Sequence, residues 1–329
     1  MKPVFIFCAL AIFVCEIFFK WPDHFLHVVT CDVGQGDAIL LSFGFTQILI
    51  DTGPDESVLS CLDKQLPFWD KKIDVLVLTH FDEDHIGGFQ QLTQVYSIAY
   101  LILPLSNYKD SQTFLELKEQ VSALQKLGTI VKEPFLGQQI AFSEFSSLHQ
   151  AKYNSSNSLL SLTFLTPTDF DLEEYKSLEA AQAFSWQSPE HELSDEDWQK
   201  LAIKMSDNNG SIVIFASFGE VKLLLLGDLE STREVALVSA GLIARVGMQK
   251  VGHHGSKTSS SLELLTKSRP EIALISCGLN NKFGHPNEEI LDNFRSIGAQ
   301  VLRTDQLGTI EMMSDGQKFW LKNKKQNLF

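Results

Sequence analysis

Two imidazoles and two carboxylates stand close together in Thr79-His80-Phe81-Asp82-Glu83-Asp84-His85-Ile86-Gly87-Gly88. The apolar run Ile73 to Leu78 before them reads as a strand buried on both faces, which delivers His80 into a loop at the sheet edge. Period-two alternation points His80 and Asp82 the same way, while Asp84 and His85 open a helix that Gly87-Gly88 lets pack closely. Such a set can begin a binuclear site for hard or borderline divalent ions. A helix N-terminus carrying aspartate as cap and dipole partner accounts for Asp82 or Asp84, but not for two histidines.

Other candidates follow strand-like runs further along. Asp51 closes Ile48-Leu49-Ile50 in the turn Asp51-Thr52-Gly53, and Asp228 ends Leu223-Leu224-Leu225-Leu226-Gly227. Taken alone, each is a turn residue. His253 and His254 lie in Val251-Gly252-His253-His254-Gly255-Ser256, and His285 lies in Gly284-His285-Pro286-Asn287. A lone loop histidine is usually structural, yet three after strand ends, in a chain already holding His80 and His85, point to metal. Ser256 and Lys257, then Asn281, offer hydroxyl, cation and amide groups suited to phosphate oxygens. A polar loop with a helix start at Ser259 explains the first of these stretches equally well. Phe81 and Phe283 suit base stacking or the interior.

These motifs together resemble the metallo-β-lactamase superfamily, whose signature is His-x-His-x-Asp-His, with Asp82 standing where the second histidine usually stands. With Asp-Val-Gly-Gln-Gly-Asp at 32–37 and Val-Gly-His-His-Gly-Ser at 251–256, the chain resembles one branch of it. That branch is the C-terminal hydrolase domain of the ComEC-type DNA-uptake channel family, and the resemblance runs from about Phe25 to Thr309. It implies an α+β fold, a four-layer αβ/βα sandwich. It makes Asp228 a carboxylate bridging two metals and Asp51 a buried group orienting the ligands. The superfamily usually supplies a histidine before the bridging aspartate, and the stretch Asp207 to Ser211 has none. His254 is the simplest replacement, with His285 as second-site ligand and Asn209 as a supporting group behind the ligands. His253 is a ligand, a proton shuttle or an outer group, and Asp84 both ligand and proton acceptor. His80, Asp82, Asp84, His85, Asp228, His254 and His285 would then hold two divalent ions. Three carboxylates in that set make manganese a rival to zinc. Such ions lower the pKa of water towards neutrality, so hydroxide becomes available as a nucleophile.

The implied substrate is a phosphodiester, single-stranded DNA in particular, cleaved during DNA uptake or degradation. A hydrolase of a small phosphodiester, another ester or a thioester is the alternative, and a non-catalytic binding module the third. Full-length members of the branch carry a many-pass channel domain ahead of the hydrolase. One apolar segment stands in its place here, so a separate channel protein is an expected partner.

The elements that must position these residues are short. Strands are expected at His27 to Cys31, Ala38 to Phe43, Gln47 to Ile50, Leu159 to Leu165, Ser211 to Phe218, Val221 to Leu226, Ile272 to Ser276 and Gln300 to Leu302. Helices are expected at Ser111 to Leu127 and Glu288 to Ile297. Two such halves suggest two packed sheets with helices outside. The chain has 329 residues, 44% of them hydrophobic, enough for a large core. Its net charge of −14 excludes a broad electrostatic nucleic-acid binder. Five cysteines without a CxxC pair exclude thiolate zinc sites and a disulfide framework.

Residues 25–329 form the expected hydrolase domain. Thr168 to Asp207 is an acidic insertion within it, either a surface lid or a solvated loop. Residues 3–19 are apolar apart from Glu16 and lie between Lys2 and Lys20, with Trp21 placed as an interfacial anchor. The 1–21 leader is expected to be an uncleaved membrane anchor, with the hydrolase on the extracytoplasmic side. A buried helix is the other reading of it.

Overall fold

The computed structural model describes residues 21–104, 112–142, 160–166 and 208–322. The apolar leader and the acidic insertion lie outside the described residues. Among the described residues, no helix is long and apolar enough to cross a membrane.

Strands β1 (Leu26–Thr30), β2 (Ile39–Phe43), β3 (Thr46–Ile50), β4 (Lys72–Val77), β5 (Ser97–Ile102) and β6 (Ile130–Lys132) form one sheet. Two strands from the far end of the chain, β14 (Ile310–Ser314) and β15 (Phe319–Leu321), complete its order β15-β14-β1-β2-β3-β4-β5-β6. The second sheet contains β7 (Gln139–Phe142), β8 (Leu160–Phe164), β9 (Ile214–Phe218), β10 (Val221–Leu225), β11 (Met248–Lys250), β12 (Ile272–Ile275) and β13 (Gln300–Arg303). Its order is β13-β12-β11-β10-β9-β8-β7. Each sheet is antiparallel at one end and parallel at the other. The parallel parts are β3 to β6 and β10 to β13.

Alternation along the strands decides the layering. In β3 and β4, Ile48, Ile50, Val75 and Val77 face a core shared with Phe164, Ile214, Leu223 and Met248 of the other sheet. Leu49 and Leu76 face the opposite way, onto Val58 and Leu62 of α1 (Ser57–Gln65) and Phe89 and Leu92 of α3 (Phe89–Val95). Leu117 and Val121 of α4 (Gln112–Lys126) cover the same face. On the outside of the second sheet, α5 (Ser231–Ser239), α6 (Leu262–Ser268) and α7 (Glu288–Ser296) bury Leu237, Leu264 and Phe294. The result is the expected α+β sandwich of four layers, helices, sheet, sheet, helices.

The short helix α2 (Glu83–Ile86) sits directly after β4 and meets α3 across Gly87 and Gly88. A side-chain carbon on either glycine would collide with the carbonyl oxygens of Pro54 or Thr52. No bulkier residue lets this turn approach the Asp51-Thr52-Gly53 loop so closely. The last described helix, α8 (Thr304–Leu307), links β13 to β14.

The cysteine expectation needs correcting. Cys31, just past β1, and Cys61 in α1 are joined by a disulfide with Cα atoms 5.8 Å apart. The pairing is invisible in a spacing of 30 residues, because only the packing of α1 on the sheet brings the two together. Cys277 is a free, buried thiol.

Candidate metal centre

The residues that carry the chemistry gather at one edge, where parallel strands of both sheets end. Asp51 follows β3, His80 to His85 follow β4, Asp228 follows β10, His253 and His254 follow β11, and Ser276 follows β12. A crevice beyond the carboxyl ends of parallel strands is where α/β sheets place ligands. Backbone strain is concentrated there too. Asp51, His253 and His254 have φ of 59°, 46° and 53°, a left-handed region costly for side chains of this kind.

Asp51 is fully buried and holds three groups at once. Its Oδ1 accepts from the Thr79 amide at 2.7 Å, and its Oδ2 lies 2.7 Å from both the Thr79 hydroxyl and His85 Nδ1. That bond turns His85 Nε2 towards Asp228 Oδ1, at 3.4 Å. His254 is set the same way, its Nδ1 donating to the Ser276 carbonyl at 2.9 Å. Its Nε2 faces Asp84 Oδ2 at 3.3 Å and Asp228 Oδ2 at 3.5 Å. His80 Nε2 lies 3.9 Å from Asp228 Oδ2 and 4.0 Å from Asp82 Oδ2. Asp228 is fixed from behind by its own amide, which donates to the Ser211 hydroxyl at 3.1 Å.

Several of these inward atoms are orphans. His80 Nε2, His85 Nε2, His254 Nε2, Asp37 Oδ1 and Asp228 Oδ1 are buried without a hydrogen-bond partner. An unsatisfied buried polar atom costs about 1–3 kcal/mol, more when charged, so this convergence demands a common partner. Ligand atoms of His80, His85 and Asp228 lie within 4.8 Å of one another, as do those of Asp84, His85 and His254. The donor set of imidazoles and carboxylates, two of the imidazoles locked through Nδ1, fits divalent cations.

The electrostatics agree. Burial, reinforced by the charge of His85, pushes His80 down to about 4, so it is a neutral donor at pH 7. Burial also opposes charge on His85 and His254, but the facing carboxylates outweigh it and raise both. Burial would raise Asp228, yet His254, His85 and Lys250 hold it well below the usual carboxylate range. Asp84 is likewise depressed, with His254 and His85 overcoming its burial.

The other candidates from sequence fall further out. His253 Nε2 is 3.9 Å from Asp228 Oδ2, and its Nδ1 is 3.7 Å from Glu230. Asn209 acts on this histidine only through Glu230, donating to the Glu230 carboxylate and accepting from its amide, each at 3.3 Å. It is Asn208 that reaches the His253 ring, at 3.3 Å. His285 stands beside His253 with ring centroids 5.6 Å apart, and is in none of the ligand groups that converge within 4.8 Å. Asn281 donates to the His285 carbonyl at 2.6 Å and accepts from the His285 amide at 3.0 Å, so its side chain shapes that loop. Ser256 is buried, its hydroxyl bonded to Thr258. Lys257 alone of the three substrate candidates is exposed.

Two residues were missed. Asp37, from the Gly34-Gln35-Gly36-Asp37 turn, and Lys250, the last residue of β11, are both buried in the cluster and paired with each other. Lys250 also donates to the Gly227 carbonyl at 2.9 Å and stands 3.7 Å from Asp228 Oδ1. Burial would lower its pKa, but Asp37 and Asp228 outweigh that and hold it above the ordinary lysine value. No local signal marked either one, since Asp37 stands in the turn before β2 and Lys250 ends a strand of three residues.

The sandwich and its ligand cluster are of the metallo-β-lactamase type, and residues 31–141 match the metallo-β-lactamase superfamily. Over most of its length the chain is similar to competence proteins of the ComEC type. It is 28% identical to ComE operon protein 3 of Bacillus subtilis over 301 residues, 85% of this chain and 32% of that protein. It is 26% identical to competence protein ComA of Neisseria gonorrhoeae over 294 residues, 88% of this chain and 32% of that protein. The chain thus spans about a third of the length of the curated relatives it matches. Among solved structures, the metallo-β-lactamase fold protein YhfI of Bacillus subtilis aligns with 90% of this chain and 99% of its own. The TM-score there is 0.48 and the identity 12%.

Proposed function

We propose that this domain is a binuclear metal-dependent phosphodiesterase that cleaves DNA, single-stranded DNA in particular, during DNA uptake or degradation. The observation that carries the reading is the convergence of His80, His85, His254 and Asp228 with unpartnered, buried donor atoms at one sheet edge. The competence protein among the relatives supports DNA as substrate. His80, Asp82 and Asp228 would hold one divalent ion, zinc or manganese, and Asp84, His85 and His254 another. When bound, such ions supply Lewis acidity and acidify water so that a nucleophile exists at neutral pH.

The chain's own residues do the rest. Asp51 fixes the His85 tautomer, and Ser276 fixes that of His254, so neither ring needs to reorient as substrate binds. Asp84 stays ionised and, with one oxygen facing His254, can accept a proton from the nucleophile. His253 is more open than His254 and lies between Glu230 and Asp228, which suits proton exchange with solvent. Lys257 supplies an exposed cation beside the histidine loop for a phosphate oxygen. The apolar segment 3–19 anchors the domain to a membrane, beside a separate channel protein. The Cys31–Cys61 disulfide favours the extracytoplasmic side, where such bonds persist.

The test is purified protein loaded with manganese or zinc, assayed on single-stranded DNA and on a generic phosphodiester. Asp84→Asn should lower turnover by about two to four orders of magnitude. Lys257→Ala should raise KM and leave metal content alone. Cleavage by Asp84→Asn near the wild-type rate would sink the mechanism. An unchanged KM in Lys257→Ala would move the substrate to a small ester.

A further inference from the structure

Lys250 is an anomaly for a metal centre, a fully buried ammonium inside a carboxylate cluster. It ends β11 between Leu225 of β10 and Leu274 of β12, so the sheet fixes its backbone on both sides. Its Nζ touches Asp37, donates to the Gly227 carbonyl at 2.9 Å and faces Asp228 Oδ1 at 3.7 Å. Asp37 Oδ1 in turn lies 3.5 Å from His254 Nδ1. Ligand atoms of Asp37, Asp228 and His254 lie within 4.8 Å of one another, the same spacing as in the groups built on His80 and His85. Geometry alone would let the two carboxylates of this group take a cation, His254 Nδ1 keeping the proton that it donates to Ser276. It differs from the others in having one already.

We propose that Lys250 is the resident cation of the Asp37–Asp228–His254 group, closing it to divalent ions and confining them to the positions bounded by His80, Asp84, His85 and the facing oxygens of Asp228. The physical case is charge balance. Asp37 and Asp228 cannot both stay ionised and dry at this depth without a positive charge between them. An ammonium on a strand end is a charge that cannot exchange. It also fixes which way the Asp228 carboxylate turns, since Oδ1 faces Lys250 and Oδ2 faces His80 and His254. The inference rests on the reading that the cluster binds metal.

The experiment counts manganese bound per chain by equilibrium dialysis with elemental analysis. It also measures the rise in melting temperature that manganese causes, in wild type and in Lys250→Met. Methionine is near lysine in length and carries no charge. The expected result is one additional ion per chain and a larger metal-induced rise in the variant. Lys250→Met combined with Asp37→Asn, which takes away a ligand of the opened group, should return the count to that of wild type. Equal counts and equal metal-induced rises in wild type and Lys250→Met overturn the proposal. If Lys250→Met unfolds without metal, Lys250→Gln, which retains a donor for Gly227, is melted alongside it. Refolding of either variant by excess manganese supports the inference, and failure of both to fold at any manganese concentration overturns it. Wild type that binds no manganese or zinc at all sinks the metal reading itself, a result distinct from equal counts.

Discussion

Asp51 organises the cluster without facing its centre. One carboxylate holds the start of the β4 loop through Thr79 and the tautomer of His85 through Nδ1, all at 2.7 Å. Losing it leaves a buried imidazole free to reverse its donor and acceptor nitrogens. Asp51→Ala should therefore weaken manganese or zinc binding about 10–100-fold. A competition titration against a chelator measures this, and an unchanged affinity would mean that His85 is oriented by its packing alone. At this scale the sequence was legible where a side chain follows directly from a strand end. His80 and Asp228 each come two residues after an apolar run stops, His254 comes three after Val251, and His85 sits on the short helix that opens from the His80 loop, so all four reach one edge. It was not legible where a partner comes from another part of the chain. Asp37 and Lys250 meet across more than two hundred positions, and nothing local distinguishes them from a turn aspartate and a surface lysine. His285 stands outside the groups that converge within 4.8 Å. A histidine in a polar loop says nothing about how far that loop reaches, and Asn281 holds this one beside His253.

Elements followed the apolar runs closely wherever two-sided burial made those runs continuous, as in β4 and β10. Six strands escaped notice: β6, β11 and β15, each three residues long and too short to show a period, and β5, β7 and β14, of six, four and five residues. The disulfide belongs to this scale, because it ties a strand end to a helix. Cys31 also donates its amide to Ala38, closing the neck of the loop that carries Asp37. Closing a loop across a separation of 30 residues is worth roughly 3.7 kcal/mol through the unfolded chain. The Cys31→Ser, Cys61→Ser double variant should accordingly lose about that much stability in urea. It should also hold metal less tightly, since the Asp37 loop loses its brace. Equal urea midpoints for the variant and the oxidised wild type would mean that the bond does not form in the protein. A lower midpoint with unchanged metal affinity would separate the brace from the site.

Across the whole molecule, β14 returns from the end of the chain to pair with β1, and His27 fastens the two. Its Nδ1 lies 2.8 Å from Glu311 and its Nε2 2.9 Å from Asp23. Burial would lower the His27 pKa, but these two carboxylates raise it to about 8. The folded value lies above the unfolded one near 6.5, so this stabilisation is complete below about pH 6.5 and is lost as pH rises through 8. With Asp23 39% exposed, solvent screening limits it to on the order of 1 kcal/mol. Melting temperature should fall between pH 6 and 9 in wild type and stay flatter in His27→Gln, and parallel curves would remove His27 as the cause. The same end of the sheet decides what the leader can do. β1 runs from Leu26 towards Cys31 and the Asp37 loop, so the chain enters the fold at the edge opposite the metal centre. Five strand residues separate the two edges by roughly 17 Å. An anchor at 3–19 would therefore leave the site open on the side away from the membrane, where Trp21 packs edge-on against Phe45 at the near side. Every described strand and helix starts after residue 25, so removing residues 1–20 leaves each described element whole. The truncated chain should melt as the full one does and hold the same metal, while no longer sedimenting with phosphatidylcholine vesicles. An insoluble or unfolded product would mean that the apolar segment is part of the core, and vesicle binding that persists would move the anchor into the folded domain.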